Sequence, residues 1–401
     1  AARRRGRRDQ QIGRWTMNAP ARRSSAGIPS RSSARRAAVV VGLYVGCVVA
    51  ALAVAAALVA MTGGPWRKVL SALLDGSLRN PGRWGTTLLE ATPLLIVALG
   101  VIVATRAGLV NIGQEGQLAV GAAAATWVAI NFSGPIALIG VFIAGFLGGA
   151  LWAGLAAVLR YWRKVPEVIS TLLLVFIAAQ FTGWLLSRSF LLMHYEKGVM
   201  NQVQTSKQLD PATRVGMIRV AGNSFPWTAV AAVAAAVAVG VLLQRTRWGF
   251  RLTMLGHNPR TAQRIGVPIV LAGASALMLS GGLAGAAGAA MLAAGAGGYT
   301  FTPGFSNNVG WEGLLVALVA RNRPLACIPV AFVFAMLRTG SGFLSSTGVS
   351  RSIAEVVRAL LVLAMLVPPA LLALRERRQG RGIAAVVTIA EPLAVPVQVA
   401  Q

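Results

Sequence analysis

Along most of this chain the apolar positions neither alternate nor recur every three or four residues; they run on without a polar side. Ten stretches have this character, at 37–61, 88–105, 112–132, 135–159, 168–187, 225–244, 267–296, 309–320, 324–337 and 352–373. An apolar stripe would mark a helix resting on a water-facing core and strict alternation a strand, whereas a segment apolar all round has no water beside it. Crossing about 30 Å of hydrocarbon at about 1.5 Å per residue takes about 20 residues. The pattern therefore predicts an all-α integral membrane protein of about ten transmembrane helices, with 309–320 and 324–337 the shortest. The absence of a two-residue period excludes a transmembrane barrel.

Polar residues break these runs at few places. "NIGQEGQL" at 111–118 sets Asn111, Gln114, Glu115 and Gln117 at the start of the third segment, and "NVGWEGLL" at 308–315 repeats N-x-G-x-E-G-x-L position for position, with Asn308 and Glu312, at the start of the eighth. The two octets stand five segments apart, an odd number, so they predict two five-helix halves of inverted topology, an arrangement found in transporters. A carboxylate at mid-membrane costs on the order of 3 kcal/mol, so Glu115 and Glu312 must sit at a helix end or face protein. Two readings follow: they cap helix starts, or, with Asn111, Gln114 and Asn308, they line a translocation path or hold the halves together. Glu355 and Arg358, three apart in the last segment, are expected to share a helix face.

Composition sharpens the class. Hydrophobic residues make up 56% and charged residues 12%, against about 25% charged in soluble domains. The 45 glycines suit helices that pack backbone to backbone in lipid. A net charge of +27 raises nucleic acid as a partner, but the basic residues occupy flanks and loops without an aromatic-interleaved module, and that class is excluded. They report orientation instead. Lys and Arg gather in the N-terminal tail, at Arg106, at 160–164, at 245–264, at Arg321 and Arg323, and at 375–381, which are alternate connections, so those pieces and both termini are expected in the cytoplasm. Residues 1–36 read as a disordered basic tail, 37–373 as the membrane domain and 374–401 as a cytoplasmic tail. Cys47 and Cys327 lie in apolar segments and show no metal spacing with His194 or His257, so neither a disulfide nor a metal is expected.

None of Lys68, Lys164, Lys197 and Lys207 follows a glycine, so the chain has no phosphate-binding G-x-x-x-x-G-K-[ST] loop. Any energy from ATP has to enter through another subunit. The connection "RTRWGFRLTMLGHNPRTAQRIGVP" at 245–268 is the most basic between two segments, and Asn258 with Pro259 can start a short helix in it. Such a helix can dock on a protein or lie on anionic lipid.

These residues resemble the permease subunit of an ABC importer of the branched-chain amino acid, ribose and nucleoside branch. The pattern G-F-x-x-x-x-x-G-x-N-P-x-x-A-x-x-x-G is met by Gly249, Phe250, Gly256, Asn258, Pro259, Ala262 and Gly266. "AGLVNIGQEGQLAVGA" and "PEVISTLLL" are most similar to nucleoside permeases that work with a lipoprotein of the basic membrane protein type, while Thr261, Gln263 and Trp311 depart from the commoner pattern. The resemblance implies that 245–266 is the coupling loop to an ATP-binding subunit, acting through Gly249, Arg251, Gly256, Asn258, Pro259, Arg260, Arg264 and Gly266. It further implies a second, homologous permease subunit forming a heterodimer, an extracytoplasmic solute-binding lipoprotein, and a place in the cytoplasmic (inner) membrane. ATP and Mg would be bound by the partner and no cofactor by this chain. The expected solute is a nucleoside first and a simple sugar next. The competing class is an ion-coupled secondary transporter, which also uses inverted repeats and buried carboxylates.

Overall fold

Every one of the ten apolar runs forms a helix. The computed structural model describes residues 31–61, 63, 66, 69–188, 190–194, 204–220, 222–345 and 349–378. The helices are α1 (Arg31–Met61), α2 (Val69–Leu74), α3 (Arg83–Arg106), α4 (Gln114–Asn131), α5 (Pro135–Arg163), α6 (Glu167–Leu186), α7 (Trp227–Arg245), α8 (Arg247–His257), α9 (Pro259–Arg264), α10 (Ile269–Ala294), α11 (Val309–Val319), α12 (Cys327–Ser345) and α13 (Arg351–Arg378). The chain divides into residues 1–43, described only where α1 begins, and residues 44–401, which contain everything below. Among the described residues six helices are long and apolar enough to cross a membrane, namely α3, α5, α6, α7, α10 and α12; Gly46–Met61 and α11 are apolar but shorter.

Burial is graded across these helices. In α3, 83% of the most apolar window is buried inside the protein, against 28% in α6 and 33% in α7. Helix α3 is thus a core element, and α5 to α7 turn apolar faces outward. Ile139, Ile143, Leu147 and Leu151, spaced one turn apart on α5, are all exposed. An apolar stripe of that length facing out is what a lipid solvent permits and water does not.

With lipid as solvent, helix association relies on close backbone approach. Where α4, α5 and α10 meet, a Cβ on Gly285 would lie 2.1 Å from the carbonyl oxygen of Gly145, and one on Gly149 would lie 2.2 Å from that of Gly281. A Cβ on Gly121 would lie 2.3 Å from the Cα of Gly285. No side chain fits this seam.

The structure departs from the sequence expectation in four places. Helix α1 begins at Arg31, ahead of the expected start at 37, so residues 31–36 are helical and not part of a disordered tail. Helix α12 continues to Ser345 rather than stopping at 337, because Arg338 and Ser341 are buried within it. Helix α13 runs to Arg378, into the expected tail. Ahead of α7, where the sequence pattern predicts no strand, lies a hairpin of β1 (Met217–Val220) and β2 (Asn223–Pro226), with Val220 opposite Asn223 and Gly222 at φ 77°. The positive φ explains the glycine. The connection 188–224 is tied to the end of α10 and the residues after it, with Ser206 N donating to Phe301 O (2.9 Å), Leu209 N to Tyr299 O (3.0 Å) and Val215 N to Ala293 O (2.9 Å). The expected disorder of 1–30 and the expected cytoplasmic tail over 379–401 lie outside the described residues.

Candidate functional site

The first octet begins in irregular backbone, whose N–H groups need partners wherever water is absent. After Gly108, at φ 71°, the chain turns and Leu109 N reaches Ala104 O. The following donors are taken by side chains, two of them from α6 and one from the octet itself. Val110 N donates to Glu167 Oε1 (3.4 Å), Ile112 N to Thr171 Oγ1 (3.2 Å) and Gly113 N to Asn111 Oδ1 (3.0 Å). The stretch "PEVISTLLL" thus supplies the acceptors that hold the turn, and Glu167 is itself paired with Arg160. Asn111 donates to Gln117 Oε1 (2.8 Å) and to Ser280 Oγ of α10 (3.0 Å), and Gln114 Nε2 donates to the same Ser280 Oγ (2.8 Å). These amides lie in the interior and knit the start of α4 to α10.

The two octets touch each other. Asn308 N donates to Glu115 Oε1 (2.9 Å) and Gly310 N to Glu115 Oε2 (2.7 Å), so the carboxylate of the first octet caps the helix that the second begins. The cap is not on Glu115's own helix, as a local reading of the motif would have it, but on α11. Contact is close enough that a Cβ on Gly310 would lie 2.4 Å from Glu115 N. Asn308 takes part through its backbone, at φ 65°.

Glu312, the matching residue of the second octet, has a different role. Its Oε2 accepts from Arg338 Nη1 (3.2 Å), and its Oε1 lies 3.5 Å from Arg358 Nη2. Arg338 Nε donates to Glu90 Oε2 (2.7 Å) and its Nη1 also to Asn307 O (3.1 Å). Helices α3, α11, α12 and α13 therefore share one ion network. It borders a cavity of about 550 Å³ whose charged lining is Arg83, Glu90, Arg338, Glu355 and Arg358, with Thr86, Thr339 and Ser341 adding hydroxyls. Arg338 was not among the residues singled out from the sequence, because the ninth segment was ended before it. The signal was present: "FVFAMLRTGSGFL" is uncharged on both sides of the arginine. Glu90 is a partner in this network, and Ser280 carried no sequence signal at all.

The basic connection between α7 and α10 forms two short helices. Thr246 Oγ1 accepts from Gly249 N (3.1 Å) to cap α8, and Asn258 Oδ1 accepts from Thr261 N (3.1 Å) to cap α9, as Asn258-Pro259 predicts. Trp248 Nε1 donates to Ser275 Oγ of α10 (3.1 Å). Gly256 lies against the turn after α3, where a Cβ would be 2.4 Å from Arg106 O and 2.9 Å from Gly108 N. Gly249 lies against the end of α7, 2.4 Å by the same measure from Leu242 O. Leu252, Leu255 and Ala262 point inward, while Arg251, Pro259, Arg260, Arg264 and Gly266 are exposed, as are Phe250 and Ile265. The motif glycines at 249 and 256 are thus close-approach positions, and the arginines form an outer surface.

A bundle of apolar helices around a charged cavity, with a basic helix pair carried between two of its spans, defines a membrane permease. A family model described as the permease component of the branched-chain amino acid transport system matches residues 85–366, and the chain belongs to that family. It is 34% identical to a glucose ABC transporter permease of Haloferax volcanii, over 69% of this chain and 74% of the relative. It is 29% identical to a guanosine ABC transporter permease of Bacillus subtilis, over 79% and 90%. A nucleoside ABC transporter permease of Lactococcus lactis is 27% identical, over 72% and 79%. The chain is the multi-pass membrane subunit of an ABC importer, a transport component and not an enzyme, in a family whose permeases work with an ATP-binding subunit and a solute-binding protein. This sets aside the ion-coupled alternative.

Proposed function

We propose that this permease moves a neutral, hydroxyl-rich solute, a nucleoside first and a simple sugar next, by alternating access through the cavity lined by Glu90, Arg338, Glu355 and Arg358. The observation that carries the path is the cavity itself: about 550 Å³ lies within the range of small-molecule sites, and its lining mixes donors and acceptors of both charges among apolar helices. Relatives named for guanosine, nucleosides and glucose support that solute class. In this reading ten helices form two inverted halves that meet at Glu115 and the start of α11, both termini are cytoplasmic, and a second, homologous permease completes the path as a heterodimer. A solute-binding lipoprotein delivers from outside, and ATP and Mg are handled by the partner.

Helices α8 and α9 are the coupling element. Their exposed Phe250, Arg251, Arg260, Ile265 and Arg264 offer an apolar patch with a basic rim to the ATP-binding subunit. Motion there has a short route inward, since Gly256 rests on the turn at Arg106 to Gly108 that leads into Asn111 and Glu115. Arg260→Glu with Arg264→Glu should abolish uptake and lower co-purification of the ATP-binding subunit at least tenfold while membrane insertion is kept. Uptake and complex both unchanged would remove the coupling assignment. Calorimetry on the cognate binding lipoprotein, titrated with nucleosides and with hexoses, decides between the two solute classes.

A further inference from the structure

A second cavity, of about 1000 Å³, lies apart from the ion-lined one. It opens where the ends of α3 and α7 meet α8 and the connection from α11 to α12. Its mouth carries Arg106, Arg245, Arg321, Arg323 and His257, and among the described residues none that lines it is acidic. One wall is of a different nature, formed by Val237, Gly240 and Val241 of α7 with Leu325. Val230, Val233, Val237 and Val241 form a continuous exposed apolar line along α7 that leads out of the cavity. At Gly240 the wall is hollow: a Cβ there would meet nothing nearer than Pro324 at 3.9 Å.

We propose that this cavity is a binding site for an acidic phospholipid, its phosphate held by the arginines at the mouth and an acyl chain lying along α7 past Gly240. Guanidinium groups bind phosphate oxygens through strong, often paired hydrogen bonds, and basic pockets between membrane helices are suited to anionic lipid heads. A protein partner with an acidic loop would match the mouth but leave the apolar wall and the hollow at Gly240 unused. An amphiphile matches both, and the wall continues onto a face already open to lipid. The site depends on the chain's place in a membrane and not on the identity of the transported solute. Its position against Gly256 and His257 of α8 makes a bound lipid a brace beside the coupling element.

The test uses the full chain purified with its partner subunits in mild detergent, with retained phospholipid quantified by mass spectrometry after exchange into equal mixtures of phosphatidylglycerol and phosphatidylcholine. The native complex is expected to retain phosphatidylglycerol at least tenfold over phosphatidylcholine. Arg245→Gln with Arg323→Gln should lower that ratio at least fivefold. Gly240→Leu, which fills the hollow and leaves every charge in place, should lower retained phosphatidylglycerol by a similar factor with the ATP-binding subunit still bound. Inorganic phosphate at millimolar concentration should not displace the lipid. Equal retention of both lipids by the native complex, or unchanged retention in both variants, overturns the proposal. Loss of a protein subunit rather than lipid in the arginine variant, with Gly240→Leu silent, assigns the mouth to protein docking and also overturns it. Displacement by inorganic phosphate alone reduces the site to a free-anion site.

Discussion

Replacing Arg338 with methionine keeps an unbranched apolar stem and removes the guanidinium from the centre of the ion network. The side chain gives Nε to Glu90 (2.7 Å), and Nη1 to Glu312 (3.2 Å) and to the carbonyl of Asn307 (3.1 Å). Removing one member of a buried ion pair costs about 3–5 kcal/mol, mostly because the other charge stays buried without a counter-ion. Two features favour the lower end: Arg358 remains 3.5 Å from Glu312, and the Glu90 side chain is 20% exposed. A loss of about 3 kcal/mol corresponds to a roughly hundredfold larger open population, at 1.4 kcal/mol per factor of ten. The chain has two cysteines, and Cys327, on the same helix as Arg338, is fully buried. In a Cys47→Ser background, the rate at which Cys327 reacts with a thiol-specific fluorophore in detergent reports that population, and Arg338→Met should raise it about a hundredfold. Adding Glu312→Gln should recover about half of the lost free energy, since an amide needs no counter-charge. An Arg338→Met rate within about twofold of the parent, or strictly additive effects in the double variant, would refute the network as an energetic unit.

Three further outcomes follow from the same geometry. Glu115→Ala should cost about 0.5–2 kcal/mol in the cysteine assay, the scale of a helix cap, and Glu115→Gln less, because one amide oxygen still accepts from α11; equal losses would argue against capping by the carboxylate. Ser280→Ala removes the acceptor shared by Asn111 and Gln114 and should cost about 1–3 kcal/mol for a donor left buried, while Ser280→Thr, which restores the hydroxyl, should cost less. Gly285→Val forces α10 away from α5 and should abolish accumulation of folded protein in the membrane; normal accumulation with unchanged melting would show that the seam can open.

The sequence carried the helices well and the contacts between them poorly. Runs apolar on all sides are legible because lipid imposes one requirement on every turn, and α3, α5, α6, α7 and α10 fall within a few residues of their expected spans. Arg338 was lost for the same reason. An apolar run that stops at 337 gives no sign that Glu90, 248 positions earlier, neutralises the residue that follows it. The octets were legible as a pair by their letters alone, yet their roles were not: Glu115 reaches an N–H 193 residues away, and Glu312 turns to two arginines instead. The cap at Asn258 was readable because a cap acts within three residues. The hairpin at 217–226 was not, since strands of four residues give alternation too little length to register.

The capped start of α11 puts the head of one helix to use in joining another to it. The free N–H groups at the head of a helix are a ready seat for phosphate. Here the donors of Asn308 and Gly310 are already occupied by a carboxylate from the same chain. The cap therefore takes donors that a helix head otherwise leaves open and turns them into a tie between two octets nearly two hundred residues apart in the chain.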